Sequence, residues 1–327
     1  RAALNRRMLP GLLRAIQVGA LICGAYGLYQ TFNGFSEVER LWIQESRYSQ
    51  LIGGRYRVFS TFLSFGEYAG FLVMGCVVSF TQVMQRRAVH VPLFIFLAAV
   101  VALSSSRGAL LTICFSASVV WAIGSSNPRV WVPRFAVAVA IGIATTVTGV
   151  QTANELAEAE PTRVSLEHQV EGLTQPFREG STGQFHRDLV LGSFAAGFRN
   201  PLGNGLGSTT IAARKFSDTK QASSEFDLGD MFLGSGLVGG LLYLAVVISV
   251  GRTLVRNWRL SRDQSIRTLA GILAAGFGSW LSGGYYSLSI ITWLLIGALD
   301  RMSLESVDPN SPVSESAASA VGTARIA

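Results

Sequence analysis

The chain alternates between long apolar runs and polar links, several of them rich in arginine, and this alternation restricts the fold more than any other feature. The hydrocarbon core of a bilayer is about 30 Å thick, so a crossing helix needs about 20 apolar residues, and fewer where its ends snorkel. With 49% hydrophobic and only 14% charged residues, the 327-residue chain has the composition of a polytopic membrane protein. We predict an all-α membrane protein with eight transmembrane helices, at residues 12–29, 65–84, 91–103, 109–123, 135–150, 231–250, 268–281 and 288–299.

The arginine-rich links orient these helices. With eight crossings, both termini and the links at 85–90, 124–134 and 251–267 fall on one side, which the positive-inside rule makes cytoplasmic. The 31–64 loop, the Arg107 break, the long loop and the Tyr285-Tyr286 turn then lie on the opposite, extracytoplasmic side. The predicted organisation is a membrane region over residues 1–150, a long extracytoplasmic loop over 151–230, a second membrane region over 231–300, and a disordered cytoplasmic tail over 301–327.

Composition also excludes several function classes. The net charge of +7 does not indicate nucleic-acid binding, because the basic residues are scattered at the ends of apolar runs. Cys23, Cys76 and Cys114 all lie in apolar runs, which favours packing roles over a disulfide or a metal site. The three histidines are far apart, and no metal-ligand spacing is present. The chain begins at Arg1 without a methionine, so we expect that an N-terminal part is missing.

Arg107 interrupts an apolar stretch in the sequence Ser104-Ser105-Ser106-Arg107-Gly108. A guanidinium between two hydrophobic runs is costly unless it reaches the interface or a partner. One interpretation is an arginine that snorkels from a helix end. The other is an anion-binding arginine at the outer face, because a guanidinium matches phosphate oxygens bidentately.

Arg55 and Arg57 lie just before the second predicted helix. Two residues apart in an extended segment, they point the same way and can reach one diphosphate, although ordinary flanking charge would give the same pattern. Glu67 follows within the first turn of that helix, where we expect it to pair with a nearby arginine.

The long loop carries a second cluster, at His186, Arg187 and Asp188. Apolar residues with roughly helical spacing follow, which predicts an amphipathic helix at the membrane surface. Asn200-Pro201 ends it, and the glycine-rich turn that follows lacks the strand and the spacing of a dinucleotide fingerprint. Arg187 is a better candidate for a site than His186, since a lone histidine is more often structural.

Acidic residues crowd the entrance to the sixth predicted helix, at Glu225, Asp227 and Asp230. Acids at a helix N-terminus are favoured by the macrodipole. Alternatively, Glu225 or Asp227 is a general base for a hydroxyl nucleophile.

Four stretches together resemble the O-antigen ligase and polymerase superfamily of bacterial polysaccharide assembly. They are RYRVFSTFLSFGEYAGFL (55–72), LSSSRGALL (103–111), NPLGNGLGS (200–208) after the Arg187 helix, and FLGSGLVGGLLYL (232–244). Each motif alone is weak, but their order and spacing, with the long outer loop between the fifth and sixth helices, carry the resemblance over about residues 50–250.

The resemblance implies a metal-independent, cofactor-free glycosyltransferase of the lipid-linked, GT-C-like type in the bacterial inner membrane. Its donor would be a glycan on undecaprenyl diphosphate, and a sugar hydroxyl of the acceptor would attack at the outer face. By position in the motifs, Arg57, Arg107 and Arg187 would hold the diphosphate, with Arg55 as a further candidate. A chain-length regulator protein is an expected partner.

One departure from the family separates its activities. Ligases carry a His-Asn pair just before the sixth helix, where this chain has Ser224-Glu225-Phe226-Asp227. A polymerase of O-antigen, capsule or exopolysaccharide therefore fits better than a ligase, with Glu225, Asp227 or His186 as the base. A lipid-glycan transporter is a third hypothesis, but the internal repeat typical of transporters is not visible.

Overall fold

The computed structural model describes residues 8–46, 51–52, 55–104, 106–125, 127–156, 160–175, 178, 181–205, 207–209, 226–261, 263–282 and 286–307. Within these ranges the regular structure is α-helical apart from one pair of two-residue strands and two 3-10 turns. The helices are α1 Leu9–Asn33, α2 Glu37–Ser46, α3 Phe65–Met84, α4 Val91–Leu103, α5 Arg107–Ile123, α6 Trp131–Leu156, α7 Glu160–Thr174, α8 Thr182–Arg199, α9 Asp227–Ser261, α10 Gln264–Ser282 and α11 Tyr286–Val307; the strands are β1 Leu51–Ile52 and β2 Arg55–Tyr56, and the 3-10 turns are Ala88–His90 and Pro128–Val130.

All eight predicted apolar segments are helical, as α1, α3 to α6 and α9 to α11. Among the described residues, α1, α3, α6 and α9 are long and apolar enough to cross a bilayer, while α4 and α5 are apolar but shorter. The all-α prediction is confirmed, and four such helices are typical of a membrane protein. The predicted tail is described only to residue 307, where α11 ends.

Helix α3 is the centre of the fold. It contacts α1, α4, α5, α10 and α11. In the apolar stretch of α3, 67% of the residues are buried, against 6% in the apolar stretch of α6. Tyr68, Leu72 and Cys76 on α3 are fully buried. Helix α6 therefore lies at the periphery, with its apolar surface left for lipid.

Arg267, in the basic link that the topology assigns to the cytoplasm, has a structural role. Its side chain is only 6% exposed, and its Nε donates a 2.7 Å hydrogen bond to the carbonyl of Val120 in the last turn of α5. The guanidinium lies against Gly124, where a side chain would overlap it. A cation at this end satisfies carbonyls that have no partner within the helix.

Helix α9 is broken where the sequence predicts one continuous span over 231–250. Gly236 has φ 66° and ψ −160°, so residues 227–235 and 237–261 form two separate arms. The first arm folds back on the second, since the Phe232 ring lies against Gly240. The prediction of an unbroken sixth helix is wrong, because the run of glycines and small side chains hides a change of direction inside an apolar sequence.

The turn after α8 closes onto this break through the main chain. A break in an apolar helix leaves N–H and C=O groups without helical partners, which is costly away from water. The turn supplies partners for these groups. Asn204 N–H donates to Leu233 O (2.9 Å), Gly205 N–H donates to Gly234 O (2.9 Å), and Leu237 N–H donates to Pro201 O (3.1 Å).

Only glycine fits at the two points of closest approach. Gly203 has φ 74°, and a Cβ there would overlap Gly234 O and Gly236 N. A Cβ on Gly236 would overlap Pro201 O in turn. The backbone conformation and the lack of space both require these glycines.

Gly203→Ala tests this contact. We expect the substitution to destabilise the protein by about 2 kcal/mol or more, from strain at positive φ added to the overlap, and to lower Tm by several degrees in thermal unfolding of detergent-solubilised protein. Gly192→Ala is the matched control, since Gly192 lies within α8 with nothing within 4 Å of a Cβ. Equal Tm values for the two variants would contradict the proposed role of the turn.

Candidate functional site

Arg107 is the first residue of α5 and is covered by a helix of the long loop. Its guanidinium lies directly against Gly172 of α7, where a Cβ would overlap Nη1 and Cζ. The carboxylate of Glu171 is close enough to stabilise the positive charge. The side chain is half-buried, so Arg107 is held at the junction of α5 and α7 and does not extend freely into solvent.

Helix α7 connects Arg107 to the second predicted arginine cluster. Besides α4, α5 and α6, it contacts strand β1. Strand β1 pairs antiparallel with β2, which contains Arg55 and is followed directly by Arg57. The side chain of Arg55 lies outside the described residues. Helix α7 therefore meets both the Arg107 end of α5 and β1, the strand that pairs with the Arg55 strand. The sequence did not predict this helix.

Arg57 has an aromatic neighbour in its own segment. Its Cζ lies 4.3 Å from the centroid of the Phe65 ring, within the range of a cation–π contact. Phe65 begins α3, and Ser64 caps this helix by accepting a 3.3 Å hydrogen bond from the N–H of Glu67. The start of α3 thus fixes the end of the arginine-bearing segment.

A polar clamp holds the same segment against α1. The buried side chain of Gln30 accepts a 2.8 Å hydrogen bond from the N–H of Ser60 and donates one of 3.2 Å to the Ser60 carbonyl. Gln30 Nε2 also donates to Glu39 Oε1, at 2.7 Å. Glu39 Oε1 accepts a further 2.7 Å bond from the Tyr26 hydroxyl. The clamp therefore joins three parts of the chain: the end of α1, helix α2 and Ser60.

The clamp shifts the titration of Glu39. Partial burial acts to raise the pKa of this carboxyl, but the hydrogen bonds from Tyr26, Ser36 and Gln30 outweigh burial and hold the pKa below its ordinary value of 4.5. The charged form is therefore the one that the fold stabilises.

This shift predicts an acid-sensitive clamp. Because the folded-state pKa of Glu39 is depressed, its contribution is fully present above the unfolded pKa near 4.5 and is lost as pH falls through the lower folded value. The measurement is the hydrogen-exchange protection of the Ser60 amide, corrected for intrinsic rates, between pH 7 and 3. Protection should fall below pH 4.5 in the native chain and in Glu37→Gln, and be independent of pH in Glu39→Gln. Native protection that is constant down to pH 3 would refute the assignment.

Arg187 and His186 lie on α8, away from this clamp. Arg187 donates to Asp188 Oδ1 from Nε (3.0 Å) and Nη2 (2.9 Å). Both side chains of the pair are more than half exposed, at 54% and 57%, so the pair contributes little to stability. His186 lies edge-on to Phe185, with ring centroids 6.0 Å apart. Their roles at a site remain predictions.

The helix predicted after the His186 cluster is present as α8, and one side of it packs on the first arm of α9. The Phe194 ring meets the Phe232 ring at 4.9 Å in a T-shaped contact, and Gly197 lies against Phe232 as well. Leu191 and Phe198 are exposed, at 61% and 66%. An exposed apolar side of this kind agrees with a helix at a membrane surface.

Asp227 acquires a partner that the sequence analysis missed. The fold-back of α9 brings the half-buried Asp227 to Tyr243, whose hydroxyl donates a hydrogen bond to its carboxylate. Asp230 is also near enough to act on Asp227 electrostatically. Tyr243 lies in an apolar run, and only the break at Gly236 places it beside an acid 16 residues earlier. Glu225, another of the three predicted bases, lies outside the described residues.

No grouping of three or more His, Cys, Asp or Glu side chains that could hold a metal ion occurs in the described ranges.

Compared with protein-family models and with curated proteins, the chain gave no match. In its described residues the protein is thus nearly all helical, with one polar feature where Arg107 meets α7 and another at Asp227 and Tyr243.

Proposed function

We propose that this chain polymerises undecaprenyl-diphosphate-linked oligosaccharide repeat units, as an inner-membrane glycosyltransferase acting at the outer face. The observation that carries the proposal is the position of Arg107. It begins α5, where the helix dipole also favours an anion, and it lies against α7, the helix that also contacts β1, whose partner strand β2 contains Arg55. Fixed guanidinium groups beside a helix N-terminus suit a diphosphate.

The chemistry follows from that charge. A hydroxyl oxygen of the acceptor sugar forms a bond to the anomeric carbon of the donor, the bond from that carbon to the diphosphate oxygen breaks, and the electron pair leaves with undecaprenyl diphosphate. Arg107 and Arg57, with Arg55 and Arg187, stabilise the negative charge that develops on the leaving group. Asp227 accepts the proton of the attacking hydroxyl, and the Tyr243 hydroxyl orients its carboxylate. No metal or cofactor takes part in this scheme.

Two other activities remain as alternatives. A ligase would use the same donor and transfer the glycan to a lipid or protein acceptor, and the product distinguishes it from a polymerase. A lipid-glycan transporter is favoured by the break at Gly236 alone, since broken helices are frequent in transporters. Accumulation of lipid-linked repeats on the inner leaflet of a deletion strain would support the transporter. A chain-length regulator is the partner we propose for the polymerase.

Arg107→Ala is the principal test. Loss of a preformed cation at the leaving group should reduce turnover by about 100-fold or more, measured as polymer formed from purified undecaprenyl-diphosphate-linked repeats by protein reconstituted in vesicles. Arg107→Lys keeps the charge but loses the forked pair of guanidinium donors, so its turnover should lie between those of the native protein and Arg107→Ala. Arg199→Ala, at the exposed end of α8, is the control for general loss of positive charge. Long polymer made by correctly inserted Arg107→Ala protein at the native rate would overturn the proposal.

Asp227→Asn tests the proposed base. Because the amide cannot accept the proton, we expect turnover to fall by about 100-fold or more, with the KM for the lipid-linked donor changed little. Tyr243→Phe should lower kcat less, since it removes only the group that orients the carboxylate. Glu155→Gln, an exposed acid near the end of α6, controls for charge. Native kcat in Asp227→Asn would exclude Asp227 as the base and leave the diphosphate assignment intact.

A further inference from the structure

The second arm of α9 exposes an apolar strip along one side. Val238 (60%), Leu241 (52%) and Ile248 (45%) are all exposed. Successive helix residues are rotated by about 100°, which places residues 241, 248, 252, 255 and 259 within a wedge of about 60°. The same strip therefore continues into Arg252, Val255 and Arg259, so that its character changes from apolar to basic along a single line.

A groove is present where the strip becomes basic. It has a volume of about 570 Å³ and is lined by Gly251, Arg252, Val255, Arg256 and Arg259. The three arginines are exposed, and none of them forms an ion pair with another residue in the described part of the chain. The groove is open, and these lining residues all lie on α9, where Val255 adds apolar surface between the arginines.

The length of the helix places this groove at the edge of a bilayer. From Gly236 to Val255 the helix rises by about 28 Å at 1.5 Å per residue, close to the 30 Å thickness of the hydrocarbon core. With the break at Gly236 near one boundary, the arginines stand at the other boundary, at the level of the lipid head groups. By the predicted topology this boundary is the cytoplasmic one.

The opposite side of this part of α9 is occupied by protein. Asn257 Nδ2 donates a 3.2 Å hydrogen bond to the carbonyl of Leu299 in α11, and Trp258 is only 6% exposed. Packing on α10 and α11 thus fixes the rotation of the helix. The arginine side is held outward toward the surrounding lipid by these contacts.

We propose that Arg252, Arg256 and Arg259 form a binding site for an anionic glycerophospholipid of the basic-side leaflet. The phosphate of the head group is held by the guanidinium groups, which match phosphate oxygens bidentately. One acyl chain follows the exposed strip through Ile248 and Leu241. The combination of charge with a continuous apolar strip fits a lipid better than it fits a soluble anion, which would leave the strip uncovered. This site is independent of the proposed glycosyl transfer and lies on the other face of the membrane.

The test compares two triple variants of the purified full chain in neutral detergent. One is Arg252→Gln/Arg256→Gln/Arg259→Gln. The other, Arg86→Gln/Arg87→Gln/Arg129→Gln, removes the same number of charges from the same predicted face. Native mass spectrometry counts the lipids retained during titration with phosphatidylglycerol, with phosphatidylcholine as the neutral lipid and glycerol 3-phosphate as the soluble anion.

We expect the α9 triple variant to bind phosphatidylglycerol at least about tenfold more weakly than the native chain, since it loses the guanidinium groups that contact the head-group phosphate directly. The control variant, whose arginines lie outside the site, should bind within about twofold of the native chain. Equal weakening in both variants would show attraction by net charge and overturn the site. Three other results would overturn the site as well. They are unchanged phosphatidylglycerol binding in the α9 variant, equal binding of phosphatidylcholine and phosphatidylglycerol by the native chain, and equal affinity of the native chain for glycerol 3-phosphate and phosphatidylglycerol. Thermal unfolding of each variant verifies that it is folded. A misfolded triple variant is replaced by the single variant Arg256→Gln, which should bind phosphatidylglycerol about fivefold more weakly than the native chain, and unchanged binding in that variant would overturn the site.

Discussion

The contact between the turn at 200–205 and the break in α9 is the interaction on which the arrangement of α8 and the two arms of α9 depends. It is made by main-chain groups, with Leu237 N–H bonded to Pro201 O and Gly205 N–H bonded to Gly234 O. Helix α8 leads into the turn, and the first arm of α9 packs against α8. The contact therefore sets the position of Arg187 at one end and that of Asp227 at the other, without either residue taking part in it.

A second constraint is the meeting of Arg107 with α7. The absence of a side chain at Gly172 lets a guanidinium approach the helix surface closely, and the neighbouring Glu171 compensates part of its charge. Because α7 also contacts β1, the position of α7 determines how the β1–β2 hairpin lies relative to the start of α5. The clamp between Gln30, Glu39 and Ser60 fixes the other side of that segment.

Apolar runs were sufficient to locate the helices of the membrane region, because each run has the length and the uninterrupted hydrophobicity that a buried or lipid-facing helix requires. The amphipathic spacing likewise located α8. The sequence did not predict α7, whose polar composition resembles that of an ordinary loop, and its packing on Arg107 is a tertiary contact with no local pattern. The break at Gly236 was missed because the glycines around it also occur in continuous transmembrane helices. Tyr243 could not be found without that break, since 16 residues of regular helix would separate it from Asp227 by about 24 Å.

A joint built from main-chain groups makes few demands on side chains. Gly203 and Gly236 must stay as they are, but the residues around them contribute only their amides and carbonyls to the joint, and these do not change when a side chain does. A chain with this architecture can therefore alter most of the side chains around the joint while the two arms of α9 keep the same angle.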